Sequence, residues 1–62
     1  MIMCLSTVVN EKNELLKKNV AYVTEKDGEL VFTDIMGIPL SVKAIIEKID
    51  LMENMIYIRQ ER

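Results

Sequence analysis

Histidine and tryptophan are absent from this 62-residue chain, and cysteine occurs once, as Cys4. Without histidine, no Ser-His-Asp relay can activate Ser6 or Ser41. A single cysteine excludes an internal disulfide. Together with the missing histidine it also excludes a four-ligand Cys/His zinc finger. Neither a G-x-G-x-x-G turn nor a G-x-x-x-x-G-K-[ST] phosphate loop is present. No enzyme signature is left. Apolar runs fall far short of the ~20 residues of a membrane-spanning helix. A basic region followed by a long apolar stretch, the mark of a signal peptide, is missing from the N-terminus. Pro39 is the only proline and Gly28 and Gly37 the only glycines, so these turn residues fall in the middle of the chain.

Half of the residues are hydrophobic, enough for a core. Eight basic and ten acidic residues leave a net charge of −2. That balance does not draw the chain to phosphate backbones, which favour basic domains. One domain, residues 1–62, is expected. A domain of this size buries only about 60% of its unfolded surface and is marginal alone. With disulfide and zinc excluded, self-association is the remaining support, and a homodimer is the expected form. A thiol without a partner in its own chain fits a reducing cytoplasm.

β-branched and apolar residues dominate Met3 to Val9, which reads as a buried strand. Asn10 to Asn13 reads as a turn. Glu14 to Lys18 is ambiguous. Val20 to Thr24 and Leu30 to Thr33 read as strands around Asp27-Gly28, the strongest hairpin signal in the chain. Gly37 marks a second turn, before Ile38 to Val42. The following stretch carries a conflict. Val42, Ile45, Ile46, Ile49 and Met52 recur at helical spacing, with Ser41 at an N-cap position. The same stretch also reads as a strand from Ile45 to Leu51, a turn at Met52 to Asn54, and a strand from Met55 to Arg59. Ile and Val abundance tips the balance slightly to strand. Short strands with tight turns in so short a chain predict an all-β fold, a small barrel whose closure removes exposed edges.

The carboxylates Glu11/Glu14, Glu25/Asp27/Glu29 and Glu47/Asp50/Glu53 have no spacing that singles them out from a solvated surface. Lys17-Lys18 is the only basic pair. With Lys43, Lys48 and Arg59, and with Tyr22, Phe32 and Tyr57 as stacking surfaces, it supplies the ingredients of a nucleic-acid face. Ordinary cross-strand packing and solubility explain the same residues. Met36, Met52 and Met55 read as flexible core fillers. Cys4 has two readings. One is a small buried hydrophobe. The other arises at a two-fold axis, where one cysteine per chain becomes a pair of thiolates. Thiolates and deprotonated main-chain nitrogens favour square-planar Ni(II) or Cu(II). Sulfur and nitrogen of one cysteine close a five-membered chelate ring, and two such chelates complete a two-sulfur, two-nitrogen set.

Three stretches carry a resemblance. "MCLSTV" (Met3 to Val8) resembles the opening of the CooT-type small nickel-binding proteins, which begin Met-Cys before a short apolar strand. "NVAYVTEKDGELVFTDIMG" (Asn19 to Gly37) is similar to their second and third strands. "IIEKIDLMENMIYI" (Ile45 to Ile58) is similar to their closing hairpin. The resemblance implies an SH3-like β-barrel of about five to six strands, homodimeric, with a strand rather than a helix at Ile45 to Leu51. It implies one Ni(II) per dimer, held at the dimer interface by Cys4 of each chain, for metal delivery or storage. The founding member is linked to nickel supply for carbon monoxide dehydrogenase, so a nickel-enzyme client is a possible partner. Many relatives carry the label of predicted RNA-binding proteins, and an RNA-binding or protein-interaction barrel with a structural cysteine is the competing expectation. Met1-Ile2 precede the family start at Met3. A chain starting at Met3 exposes the Cys4 amine after methionine removal. A chain starting at Met1 leaves only an amide nitrogen there.

Overall fold

A computed structural model describes residues 5–60. Six strands follow in order: β1 (Ser6–Val9), β2 (Leu15–Lys26), β3 (Glu29–Asp34), β4 (Pro39–Val42), β5 (Ala44–Asp50) and β6 (Met55–Gln60). They form one sheet ordered β4-β3-β2-β1-β6-β5. All neighbours are antiparallel except β1 and β6, which run parallel. The described residues contain no helix.

Lys43 alone separates β4 from β5, yet these strands are the two outer edges of the sheet. In a flat six-stranded sheet the edges would lie about 24 Å apart, at about 4.8 Å per step. One intervening residue spans at most about 7.6 Å between flanking Cα atoms. The sheet therefore rolls until its edges meet at Lys43. The rolled inner face holds the core: Val8, Val20, Leu30, Phe32, Ala44, Ile56 and Ile58, with Leu16, Val23 and Val42 packed against it.

The expected closed barrel is corrected here. The ladder is open, with β4 and β5 unpaired to each other. Its cause is the link itself. An antiparallel pair needs a hairpin turn, and a parallel pair needs a long crossover. A one-residue corner supplies neither.

Irregularities in the ladder bend the strands around the core. The first half of β2 pairs with β1 and the second half with β3, and only Val20 pairs with both. Asn19, at φ 57, lies at the register shift between them. Asparagine tolerates this left-handed conformation better than most residues. The stretch left ambiguous from Glu14 to Lys18 is thus largely the start of one long, bent strand. A second shift explains the helix-like spacing. Ile46 pairs with Ile58 and Ile49 with Ile56, while Glu47 is the extra residue between Ile46 and Lys48. The bulge puts residues three apart on one face of a strand. The period that imitates a helix is a bulged strand.

The predicted hairpin is present. Lys26 pairs with Glu29, and Asp27 (φ 53) and Gly28 (φ 81) both take positive φ. Such a two-residue turn matches the twist of the flanking strands. The first turn depends on Asn10, which is buried. Its Oδ1 accepts from the N–H groups of Lys12 and Glu14, both at 2.9 Å. Its Nδ2 donates to Glu14 Oε1 at 2.8 Å and to Gln60 Oε1 at 3.0 Å. One side chain thereby joins the turn to the end of β6. Asn10→Ala leaves two main-chain donors without this acceptor, and should lower stability by about 2–3 kcal/mol in urea unfolding. A loss below about 0.5 kcal/mol would show that the junction is not needed.

Candidate metal centre

Cys4, the one residue expected to bind metal, lies outside the described residues. The strand it leads into is described. β1 sits between β2 and β6, so its start has neighbours on both sides. Ser6 is level with Val20 of β2, and Val20 with Asp34 at the end of β3. On the other side Thr7 is level with Met55 of β6, and Met55 with Asp50 at the end of β5. The Thr7 N–H donates to the Asn54 carbonyl oxygen at 2.9 Å. The β3–β4 turn and the β5–β6 turn therefore flank the end of the sheet at which β1 begins.

These two turns are built alike. Their sequences are Asp34-Ile35-Met36 and Asp50-Leu51-Met52. In each, the aspartate Oδ1 accepts from the methionine N–H two residues on, at 2.9 Å for Met36 and 3.1 Å for Met52. Asp34 Oδ1 also accepts from Ile38 N–H, and Asp50 Oδ1 from Glu53 N–H. A short side chain that caps its own turn fixes the loop locally. Capping leaves the apolar side chains facing water: Ile35 is 55% exposed, Met36 81%, Leu51 80% and Met52 94%. Met36 and Met52 were expected in the core, and the structure corrects this. The repeated Asp-apolar-Met pattern was the available signal for this rim, and helical and strand periodicity both pass over it.

Asp34 is the more firmly held of the two caps. Its Oδ2 lies 3.1 Å from Lys17 Nζ, with both side chains largely covered. The Ile38 N–H, then Lys17 and the Met36 N–H, hold its carboxyl below the ordinary value of 3.8, against the opposing effect of desolvation.

The basic residues do not form a nucleic-acid stripe. Lys17 is committed to Asp34, Lys48 lies 3.9 Å from Asp50, and Arg59 lies 3.3 Å from Glu47. Lys48 Nζ also sits 5.5 Å from the Tyr57 ring centroid. Lys12, Lys18, Lys26 and Lys43 are exposed at four different places: the first turn, β2, the hairpin and the β4–β5 corner. Tyr22 and Tyr57 stand on strands separated by β1. Among the described residues, no three His, Cys, Asp or Glu side chains converge as a metal site. No helix among them is long and apolar enough to cross a membrane.

The model of the CO dehydrogenase accessory protein CooT matches residues 3–59. The chain belongs to this family. CooT is described as an accessory protein of that enzyme, which is consistent with a nickel-related accessory role. A crystallised CooT candidate from Carboxydothermus hydrogenoformans shares the fold. Its TM-score is 0.87 at 22% identity, over 95% of this chain and all of that one. No curated protein matches the chain.

Because the Asp34 pKa is lowered on folding, its ionisation stabilises the fold fully above the unfolded value, and that contribution is lost as pH falls through the folded value. Asp34→Asn keeps an oxygen acceptor and removes the charge. It should lower the melting temperature at neutral pH and have little effect in acid well below the ordinary carboxyl range. Equal losses at both conditions would assign the effect to packing instead.

Proposed function

We propose that the protein is a cytoplasmic homodimeric nickel carrier or store, with the rolled six-stranded sheet as its unit. One Ni(II) is its cargo. Cys4 of each copy supplies a thiolate and a main-chain nitrogen, and the ion lies between the copies. The observation that carries this reading is that the CooT match includes Met3-Cys4. The same Cys4 leads into β1, whose start is flanked by the two apolar Asp-x-Met turns. Exposed apolar side chains gathered into one patch mark contact surfaces. Two copies meeting across this rim would bring two β1 starts together. Thioether side chains adapt readily to such a contact.

The donor set explains why one cysteine suffices. A single thiolate is a weak site for a divalent ion in water. Two thiolates and two main-chain nitrogens complete a strong-field square-planar set that suits Ni(II). The ligands must lose protons to bind, so affinity rises with pH. The RNA-binding alternative draws no comparable support, because three of the cations are engaged within the fold.

Nickel titration followed by charge-transfer absorbance tests the reading. The wild type should saturate at one ion per two chains, and Cys4→Ser should show no sulfur-to-nickel band. Equal binding by both proteins would place the metal elsewhere.

A further inference from the structure

Cys4 leads into β1, and the register of β1 is held firmly from one side only. Toward β2 the strand makes three pairs: Ser6 with Val20, Val8 with Lys17 and Val9 with Leu15. The register shifts at each step between them. Toward β6 it also makes three pairs: Thr7 with Met55, Val8 with Ile56 and Val9 with Tyr57. These keep one register throughout, and the pairing is parallel. A parallel pair has no hairpin to fix its register. β1 and β6 also stand at opposite ends of the chain. The register therefore depends on what holds the two ends of this short ladder. At the far end, the Asn10 side chain donates to Gln60 Oε1 at 3.0 Å. At the near end, the first rung is the Thr7 N–H donating to the Asn54 carbonyl oxygen at 2.9 Å.

Asn54 has an unusual backbone. It takes φ 55, between the turn that Asp50 caps and the start of β6. Asparagine tolerates this left-handed conformation, and β-branched residues do not. The conformation turns the chain out of the loop and into β6 while its carbonyl meets β1. A slip of β1 by one residue would move its start by about 3.3 Å and reverse the face of every side chain on it. Cys4 is three residues before Thr7 in the chain. Metal–ligand distances hold within about 0.2 Å, so a site shared by two β1 starts tolerates no such slip.

We propose that Asn54 is a positioning residue for nickel. Its left-handed backbone sets the β1–β6 register through the Thr7 N–H, and thereby the level at which each copy presents Cys4. Asn54 is not itself a ligand. The role presupposes the Cys4-bridged nickel of the proposed function. A matched control exists in the same fold. Asp27 takes φ 53 in the hairpin that joins β2 to β3, and that hairpin makes no pair with β1. Strain at Asp27 lowers stability without touching the β1 register.

Ni(II) titration and amide hydrogen exchange by NMR, with melting curves to verify folding, test the role. Asn54→Val sets a β-branched residue at a positive φ. It should weaken nickel binding about tenfold or more. In the metal-free protein it should speed exchange at the Thr7 amide. Asn54→Gly keeps the left-handed backbone and should bind nickel as wild type does. Asp27→Val should lower the melting temperature and leave nickel affinity and Thr7 exchange unchanged. Where Asn54→Val does not fold, Asn54→Ala applies a milder strain and is judged by the same measurements. A folded Asn54 variant with the nickel affinity of wild type, or with wild-type protection at Thr7, overturns the positioning role. An equal loss of affinity in Asp27→Val assigns the effect to general stability and also overturns it. A wild type that binds no nickel, or binds it no more tightly than Cys4→Ser does, overturns the nickel reading instead. Exchange at Thr7 then decides by itself whether Asn54 sets the register.

Discussion

Lys43 connects the last strand of one edge to the first strand of the other, and this short link governs the rest of the molecule. A six-stranded sheet whose outer strands are chain neighbours has to roll. Rolling creates an inside, and an inside lets a chain of this size bury Phe32, Ile58 and Val8 completely. The same link forbids closure by hydrogen bonds, since a single residue makes neither a hairpin nor a crossover. A core and two unpaired edges are thus consequences of one connection.

The devices that bend the strands also position the apolar rim. The shift at Asn19 lets β2 serve β1 with its first half and β3 with its second. That arrangement carries the end of β3, and the Asp34 turn with it, to the level at which β1 begins. The β5–β6 turn reaches the same level from the other side through the parallel pairing of β1 and β6. Each turn is capped by its own aspartate, so the apolar residues at the tips are held out at little entropic cost. Asp34 is further fixed by Lys17, which removes one member of the only basic pair from any role at the surface.

Much of this was legible in the residues. Asp27-Gly28 between apolar runs specified its hairpin, because few dipeptides accept two consecutive positive φ values. Leu30 to Thr33 and Met55 to Arg59 are rich in β-branched and aromatic residues and form strands. The Ile45 to Leu51 stretch was harder, since a bulge at Glu47 writes a helical spacing into a strand. Closure was misjudged because strand count and turn chemistry do not reveal strand order; the parallel neighbourhood of β1 and β6 is a long-range fact. Met36 and Met52 were placed inside on hydrophobicity alone, whereas the preceding aspartates, which cap the turns, decide their exposure. The resemblance of Met3-Cys4 and the two later stretches to the CooT family was legible throughout, and the family match over residues 3–59 bears it out.

With no histidine and one thiol per chain, the proposed two-sulfur nickel site requires two copies. Nickel K-edge X-ray absorption of the loaded protein tests it most directly. The account predicts a square-planar spectrum with two sulfur and two nitrogen neighbours, one of each from either copy. A first shell of oxygen and nitrogen without sulfur would contradict it.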